Sequence, residues 1–356
     1  ADALDARWGP IGAGTGARLA LDSVYFGGGT PSLLPAEAIN RLLGLIRRRF
    51  GIAPGAEVTL EANPGPDERG DAGALRAAGV TRLSIGAQSM DAAELRALGR
   101  RHTPDDVAAT VHAARDAGIE SISLDLLYDV PGQTLDTWAT TLDAALATEP
   151  DHVSMYALTL DDPDAEGITG PNGDHLPVSD GARRWRERAR VGQDDDRAAQ
   201  MYELADQRLA SAGFDWYEIS NWARPGHESR HNVAYWQGRS WQAVGPGAHA
   251  FDGRTRRWNA ARLDRYMDAL QPTDGAPPRL PPGSASTSGA EESEVSAAML
   301  ALRTRSGLKP TASQAPTIAE AVAWGLEAGL LAENPDCVVL TMRGRLLANE
   351  LFVRMV

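Results

Sequence analysis

One cysteine, Cys337, and one lysine, Lys309, occur in 356 residues. A single thiol cannot close an intramolecular disulfide, so a reducing compartment, the cytoplasm, is the expected location. No apolar run approaches the ~20 residues of a membrane span. The opening ADALDARWGPIGAGTG has neither the basic n-region nor the apolar h-region of a secretory signal. Basic charge is in deficit: 35 Lys and Arg face 48 Asp and Glu, a formal net charge of −13. Phosphate-backbone binding depends on clustered cations, so nucleic acid is excluded as a partner. Anionic membranes repel such a chain on average, which leaves a local patch or peripheral association through a partner open. The sequence also lacks an initiator methionine and reads as truncated at its start.

What is present is a repeated alternation of β-rich runs and helical runs. LDSVYF precedes a helix expected over 35–50, with Ile39, Leu42, Leu43 and Ile46 on one stripe. EVTLEANP, TRLSIGAQS, SISLDLLYDVPGQ and HVSMYALTL follow, separated by runs with helical spacing, and a helix over about 197–212 leads into FDWYEIS. Thr134 is the expected N-cap of the helix that follows the fourth run, and Gly79 the C-cap of an earlier one. Such repetition predicts a parallel sheet, doubly wound or closed as a barrel. Residues 271–293, rich in Pro, Gly and Ser, read as a linker. Residues 294–356 then read as a small winged-helix-like α+β domain.

Polar residues end the strands. The first run ends in Gly27, Gly28, Gly29 and Thr30, the second in Glu61 and Asn63, the third in Gln88 and Ser89. The fourth carries Asp125 among Ile and Leu, and the fifth ends in Thr159. Ligands of parallel α/β folds bind at the carboxyl ends of the strands, so these residues are expected to share one pocket. The glycine run is neither G-x-x-x-x-G-K-[ST] nor G-x-G-x-x-G, and Pro31 removes an amide from any phosphate nest. A nucleotide-triphosphate loop is thereby excluded, and a plain tight turn stays open as the alternative. A second constellation, residues 221–251, gathers Trp222, Tyr235, Trp236 and Trp241 around His227, His231 and His249. His227 and His231 have the i, i+4 spacing of a helical metal pair, but Pro225 and Gly226 argue against helix at the first. An aromatic, His-bearing segment suits a large flat ligand such as a porphyrin. A tryptophan-rich barrel lid with hydrogen-bonded histidines is the competing reading.

In order, YFGGGTPSLL, TLEANPG, RLSIGAQS, LGRRH, SLDLLYDVPGQT and RHNVAYW closely resemble the HemW-type heme chaperones. These are members of the radical S-adenosylmethionine superfamily, many first named oxygen-independent coproporphyrinogen III oxidases. The resemblance implies a partial (β/α)6 barrel over residues 1–270, its first strand and cluster loop missing, followed by the small C-terminal domain. It implies S-adenosylmethionine contacts at Gly28, Gly29, Thr30, Glu61, Gln88, Arg100 and Asp125. It associates heme with His231, Asn232, Tyr235 and Trp236, leaving the axial ligand open. The implied function is to bind heme and deliver it to recipient proteins. The alternatives are oxidative decarboxylation of coproporphyrinogen III, or an inactive truncated barrel, so enzymatic activity stays undecided. The family's C-x-x-x-C-x-x-C motif, which holds a [4Fe–4S] cluster, is not matched in this chain. Two smaller departures are Asp129, where glycine is usual, and Ser229, where many members have cysteine.

Overall fold

The computed structural model describes residues 20–158, 185–187, 189–271, 283–309 and 315–356. Its centre is a curved sheet of seven strands. These are β1 (Leu21–Phe26), β2 (Ile52–Ala62), β3 (Arg82–Gln88), β4 (Ser121–Tyr128), β5 (His152–Ala157), β6 (Asp215–Glu218) and β7 (Asn221–Ala223). Their order is β1-β2-β3-β4-β5-β7-β6. β1 to β5 are mutually parallel, as the strand–helix repetition predicts, and form a half-barrel. The sixth place is taken by a hairpin: β7 runs antiparallel to β5 and β6 antiparallel to β7. Only Ile219 and Ser220 separate these two strands, too few for the helical crossover that a parallel neighbour requires.

Strands of parallel sheets covered on both faces read as continuous apolar runs. Here they alternate. Val24, Val58, Leu60, Leu83, Ile85, Ile122, Leu124, Val153 and Met155 are buried on one face. They pack under Ile39 and Leu43, Leu75, Val107 and Val111, Trp138 and Leu142, and Met201 and Leu209 of the crossover helices. The other face carries Ser23, Tyr25, Glu57, Thr59, Glu61, Arg82, Ser84, Ser121, Ser123, Asp125, His152 and Ser154. The register sets Glu61 beside Ser84, Ser84 beside Ser123 and Asp125 beside Ser154. The concave side of the half-barrel is therefore polar, a lining suited to a polar ligand and costly without one or its equivalent in hydrogen bonds.

The crossover helices begin and end where local chemistry directs. Thr103 and Thr134 close capping boxes ahead of the helices Pro104–Asp116 and Leu135–Leu146. Gly79 ends Ala72–Ala78 at φ 111°, a left-handed cap. Arg47, Arg48 and Arg49 close Ala36–Phe50, where cations favour the negative end of the helix dipole.

Beyond the barrel lies a sheet that the sequence reading does not anticipate. β8 (His249–Phe251), β9 (Thr255–Trp258) and β10 (Ser284–Thr287) form an antiparallel meander. β10 falls within the expected linker 271–293, and the next helix, Ala290–Leu302, begins before that stretch ends. Ser284, Ala285, Ser286 and Thr287 pair by backbone with Trp258, Arg257, Arg256 and Thr255 despite a flanking composition typical of loops. The C-terminal module contains Ala290–Leu302, Pro316–Glu327, the hairpin of β11 (Leu331–Asn334) and β12 (Cys337–Leu340), and two short helices, Met342–Leu346 and Ala348–Phe352. It has its own core of Leu302, Ile318, Leu331, Val338, Leu340 and Leu351. Arg345 ties it to the barrel through two bonds to Asp206, at 2.8 and 3.2 Å.

Candidate functional site

At the carboxyl end of β1 the chain turns through Gly28 at φ 84° and Gly29 at φ 73°, a conformation in which glycine alone is unstrained. Gly27 is glycine for a different reason. A Cβ there would stand 2.4 Å from Tyr25 Cε1 and 2.8 Å from Glu61 Oε1. Glu61 organises the turn: one oxygen accepts from the Gly28 amide at 2.8 Å and the other from the Tyr25 hydroxyl at 2.7 Å. Thr30 accepts from Asn63 Nδ2 at 3.1 Å, joining the loop to the end of β2.

Gln88 ends β3 at φ 65°, rare for a residue with a side chain and a marker of backbone strain held in place by its surroundings. Its amide lies over Gly86, where an added Cβ would be 2.8 Å away. Asp125 accepts from Ser84 Oγ at 2.9 and 3.1 Å. Burial pushes its carboxyl up to about 6 against the pull of bonds from Ser154, Ser84 and Ser123, with the Glu61 charge adding to the rise. Arg100 follows the helix Ala92–Ala97 in a turn that His102 fastens to the Ala87 carbonyl at 3.0 Å. The structure thus brings Gly28, Gly29, Thr30, Glu61, Gln88 and Asp125 to one concave mouth, with Arg100 two residues from the clasp at its side. Thr159 lies outside the described residues. Asp129, at φ 56°, sits in the left-handed region, where glycine costs nothing and Asp is among the better-tolerated alternatives. Arg197 pairs with it.

This donor set fits S-adenosylmethionine. The glycine turn, two carboxylates and a side-chain amide gather at the mouth, and a Cβ at Gly28 or Gly29 would meet nothing within 4 Å. Glu61, Gln88 and Asp125 would hold the cation and hydroxyls of the cofactor, and the glycine turn its carboxylate end. A [4Fe–4S] cluster takes thiolate ligands, and the single Cys337 lies in β12 of the C-terminal module. The described residues therefore do not fit the cluster. Glu61, Gln88, Asp125 and the glycine turn would bind and orient S-adenosylmethionine, and no step through a cluster is assigned to them.

The second constellation lies against Glu57 of β2 and against Arg82 and Ser121, the first residues of β3 and β4. Ser229 caps the helix Arg230–Trp236, its Oγ accepting from the Asn232 amide at 3.3 Å. Pro225 and Gly226 keep His227 outside that helix, so His227 and His231 do not form a helical pair. His227 instead bonds Ser121 Oγ at 3.2 Å. Glu57, nearly buried, accepts from the Arg230 and His231 amides at 3.2 Å each and from Ser229 Oγ at 3.3 Å. Arg82 bonds the same carboxylate at 2.9 Å and the His227 carbonyl at 2.8 Å. One buried ion pair therefore fixes the start of the helix, where a carboxylate meets the positive end of its dipole.

His231 has both ring nitrogens engaged, with Ser23 Oγ at 3.1 Å and the Tyr235 hydroxyl at 3.2 Å. Its ring stacks on Tyr25 at 4.9 Å, and burial lowers its pKa. Asn232 points to the barrel interior, donating to Glu218 Oε1 at 3.3 Å. Glu218 is 1% exposed, and burial pushes its carboxyl up to about 7. From His231 the ring contacts continue to Tyr235 at 4.8 Å, Trp241 at 4.4 Å and Phe251 at 5.0 Å. This ladder starts at the Tyr25–Glu61 bond of the first site. It ends on the β8–β10 sheet, where His249 stacks on Trp258 at 5.7 Å. An open groove of about 2860 Å³ runs along it, lined by Tyr235, Trp236, Trp241, His249, Phe251 and Arg256 among others. Small-molecule pockets hold ~300–1,000 Å³, so this groove is sized for a large ligand or a protein surface. The sequence reading places His231 and Tyr235 here but misses Tyr25, Glu57 and Glu218. Their signal was the polar alternation of β1, β2 and β6.

The polar half-barrel with a glycine turn and strand-end carboxylates defines a radical S-adenosylmethionine fold. Residues 13–145 match the Radical SAM superfamily. The solved structure of Escherichia coli coproporphyrinogen III oxidase (HemN), a radical SAM enzyme, superposes with a TM-score of 0.77. That match covers 99% of this chain and 82% of that one at 22% identity, a likeness of fold. The heme chaperone HemW of Mycobacterium tuberculosis is 41% identical over 92% of this chain and 78% of its own length. HemW of Bacillus subtilis is 30% identical over 93% of this chain and 84% of its own. The chain belongs to the HemW family of radical S-adenosylmethionine proteins. Membership implies S-adenosylmethionine and a [4Fe–4S] cluster as the family's cofactors. No described helix is long and apolar enough to cross a membrane.

Proposed function

We propose that this chain binds heme and passes it to heme-accepting proteins, with S-adenosylmethionine held at the barrel mouth in a supporting role. The observation that carries the reading is the aromatic groove joined to that mouth by Tyr25. A porphyrin is flat and apolar across its face and anionic at its propionates, and the groove offers aromatic rings beside arginines. Its openness suits delivery, since a chaperone must release its ligand to another surface. Relatives that share most of this chain's length carry the chaperone name, which favours this reading over porphyrinogen oxidation. Residues His231, Tyr235 and Trp236 belong to the groove's wall, Asn232 supports their helix from the barrel side through Glu218, and Gly28, Gly29, Thr30, Glu61, Gln88, Arg100 and Asp125 belong to the cofactor mouth.

The test is a titration of the full chain with ferric heme, followed by the Soret band, beside a Tyr235→Ala/Trp241→Ala variant. Saturable one-to-one binding that weakens at least about tenfold in the variant is expected, because each stacked ring contributes ~1 kcal/mol beyond its burial. Equal, non-saturating uptake by both proteins refutes the reading.

A further inference from the structure

Of the histidines in the groove, His231 is the one the sequence motif brings forward, yet both its ring nitrogens are already bonded and its faces are covered by Tyr25 and Tyr235. His249 differs. It is exposed, one ring face stacks on Trp258, and neither of its ring nitrogens hydrogen-bonds a described residue; its backbone carbonyl accepts from Trp241 Nε1 at 3.0 Å.

The register of the small sheet gives His249 its neighbours. It pairs with Trp258, and Phe251 pairs with Arg256. Residues directly opposite share a face, and so do residues two apart on one strand. His249, Phe251, Trp258 and Arg256 therefore stand together on one face. Ser284 and Ser286 complete that face from β10. Arg256 is close enough to act electrostatically on both His249 and Tyr235. Arg254 precedes it in a tight turn in which Asp252 accepts from the Arg254 and Thr255 amides at 2.9 and 2.7 Å. An imidazole whose nitrogens bond no described residue, a floor of aromatic rings and exposed guanidinium groups are what an iron porphyrin with two carboxylates requires: an axial nitrogen, a flat contact and counter-charges.

We propose that the β8–β10 sheet is the heme platform, with His249 as the iron ligand and Arg256 as a partner of a propionate. His231 is a positioning residue, holding Tyr235 and the start of the aromatic ladder against β1. A lone pair of one His249 ring nitrogen bonds the ferric iron, a weakly held water leaves, and no electron or proton changes hands. The inference rests on the heme reading above and deepens it.

The test uses ferric heme and the full chain as wild type, His249→Ala, His231→Ala and Arg256→Gln, with far-ultraviolet circular dichroism as the fold control. His249→Ala is expected to lose the imidazole-ligated Soret and electron paramagnetic resonance signature. Its affinity should fall by about tenfold or more, as losses around a metal ligand commonly do. Free imidazole added to His249→Ala should restore the signature, which a merely unfolded variant does not do. His231→Ala should keep an imidazole-ligated spectrum. Arg256→Gln should weaken ferric heme binding about two- to fivefold, the scale of an exposed ion pair, and leave the dimethyl ester of the same porphyrin unaffected. A His249→Ala spectrum identical to wild type, or loss of the signature in His231→Ala alone, overturns the assignment while leaving heme binding intact. Failure of the wild type to bind heme at all overturns the functional reading, and this inference with it.

Discussion

The joint between barrel and groove is the Glu57–Arg82 pair, with side chains 7% and 5% exposed. Replacing Glu57 with Gln keeps the shape and removes the charge. Arg82 then stays buried with no counter-ion, and its Nη1 already lacks a hydrogen-bond partner. Removing one member of a buried pair costs about 3–5 kcal/mol, mostly through the charge left behind. The two helix amides and the serine hydroxyl that now meet a carboxylate would meet an amide, a loss of about 1 kcal/mol or less for each bond. The shared desolvation makes these figures overlap, so a total near 3–5 kcal/mol is expected. Urea unfolding of wild type and Glu57→Gln measures it. Hydrogen exchange at Arg230 and His231 should accelerate in the variant, since their acceptor is weakened. The double variant Glu57→Met/Arg82→Met, with neither charge, should recover most of the loss, because an apolar pair of similar volume often equals a buried ion pair. A single variant within ~1 kcal/mol of wild type would refute the claim that this pair organises the helix.

At the cofactor mouth, Gly27→Ala should push Tyr25 and Glu61 apart, cost about 1–3 kcal/mol through overpacking, and weaken S-adenosylmethionine binding measured by calorimetry. Asp125 and Glu218 have carboxyls raised to about 6 and about 7. The folded state therefore holds protons that the unfolded state has released between pH ~4 and these values. Their contribution is fully present below pH ~4 and falls as pH rises through 6 to 7, so Asp125→Asn/Glu218→Gln should flatten the decline. Denaturation midpoints at pH 5 and 8 check this, and equal slopes in both proteins contradict it. Arg345 bonds Asp206 and lies 4.5 Å above the Trp216 ring. Arg345→Met should lower the unfolding free energy by about 2–4 kcal/mol, on the scale of a broken buried pair, and speed proteolysis between the barrel and the C-terminal module.

How much of this was legible in the sequence depends on where each signal resides. The parallel strands, their helices and the caps at Thr134 and Gly79 were readable because period and cap chemistry are local. The convergence of Glu61, Gln88 and Asp125 was readable because topology alone brings strand ends together. FDWYEIS was readable as a β run and holds β6, but its pairing with β7 as a hairpin and the β8–β10 sheet were not. Their strands have three or four residues each, too short for a period to register, and the last is paired across a Pro- and Gly-rich stretch. The role of Glu57 was hidden for another reason. A charged residue at the head of the run EVTLEANP reads as solvated edge, and only the folded structure pairs its side chain with Arg82 and sets it against the start of the helix Arg230–Trp236.

The two sites share one residue, and that gives the arrangement its logic. Tyr25 donates its hydroxyl to Glu61 at the cofactor mouth while its ring stacks on His231 at the head of the ladder. A ligand that draws Glu61 toward itself must also act on Tyr25, and through it on a chain of rings in which each contact fixes the next. Coupling through such a chain is reciprocal: whatever S-adenosylmethionine does to affinity in the groove, a groove ligand must do in return at the mouth. An exposed tyrosine that merely filled space would need neither bond. Placing it on β1, between the turn that its strand ends in and the helix that Glu57 anchors, joins the proposed cofactor mouth and the proposed heme groove through one side chain.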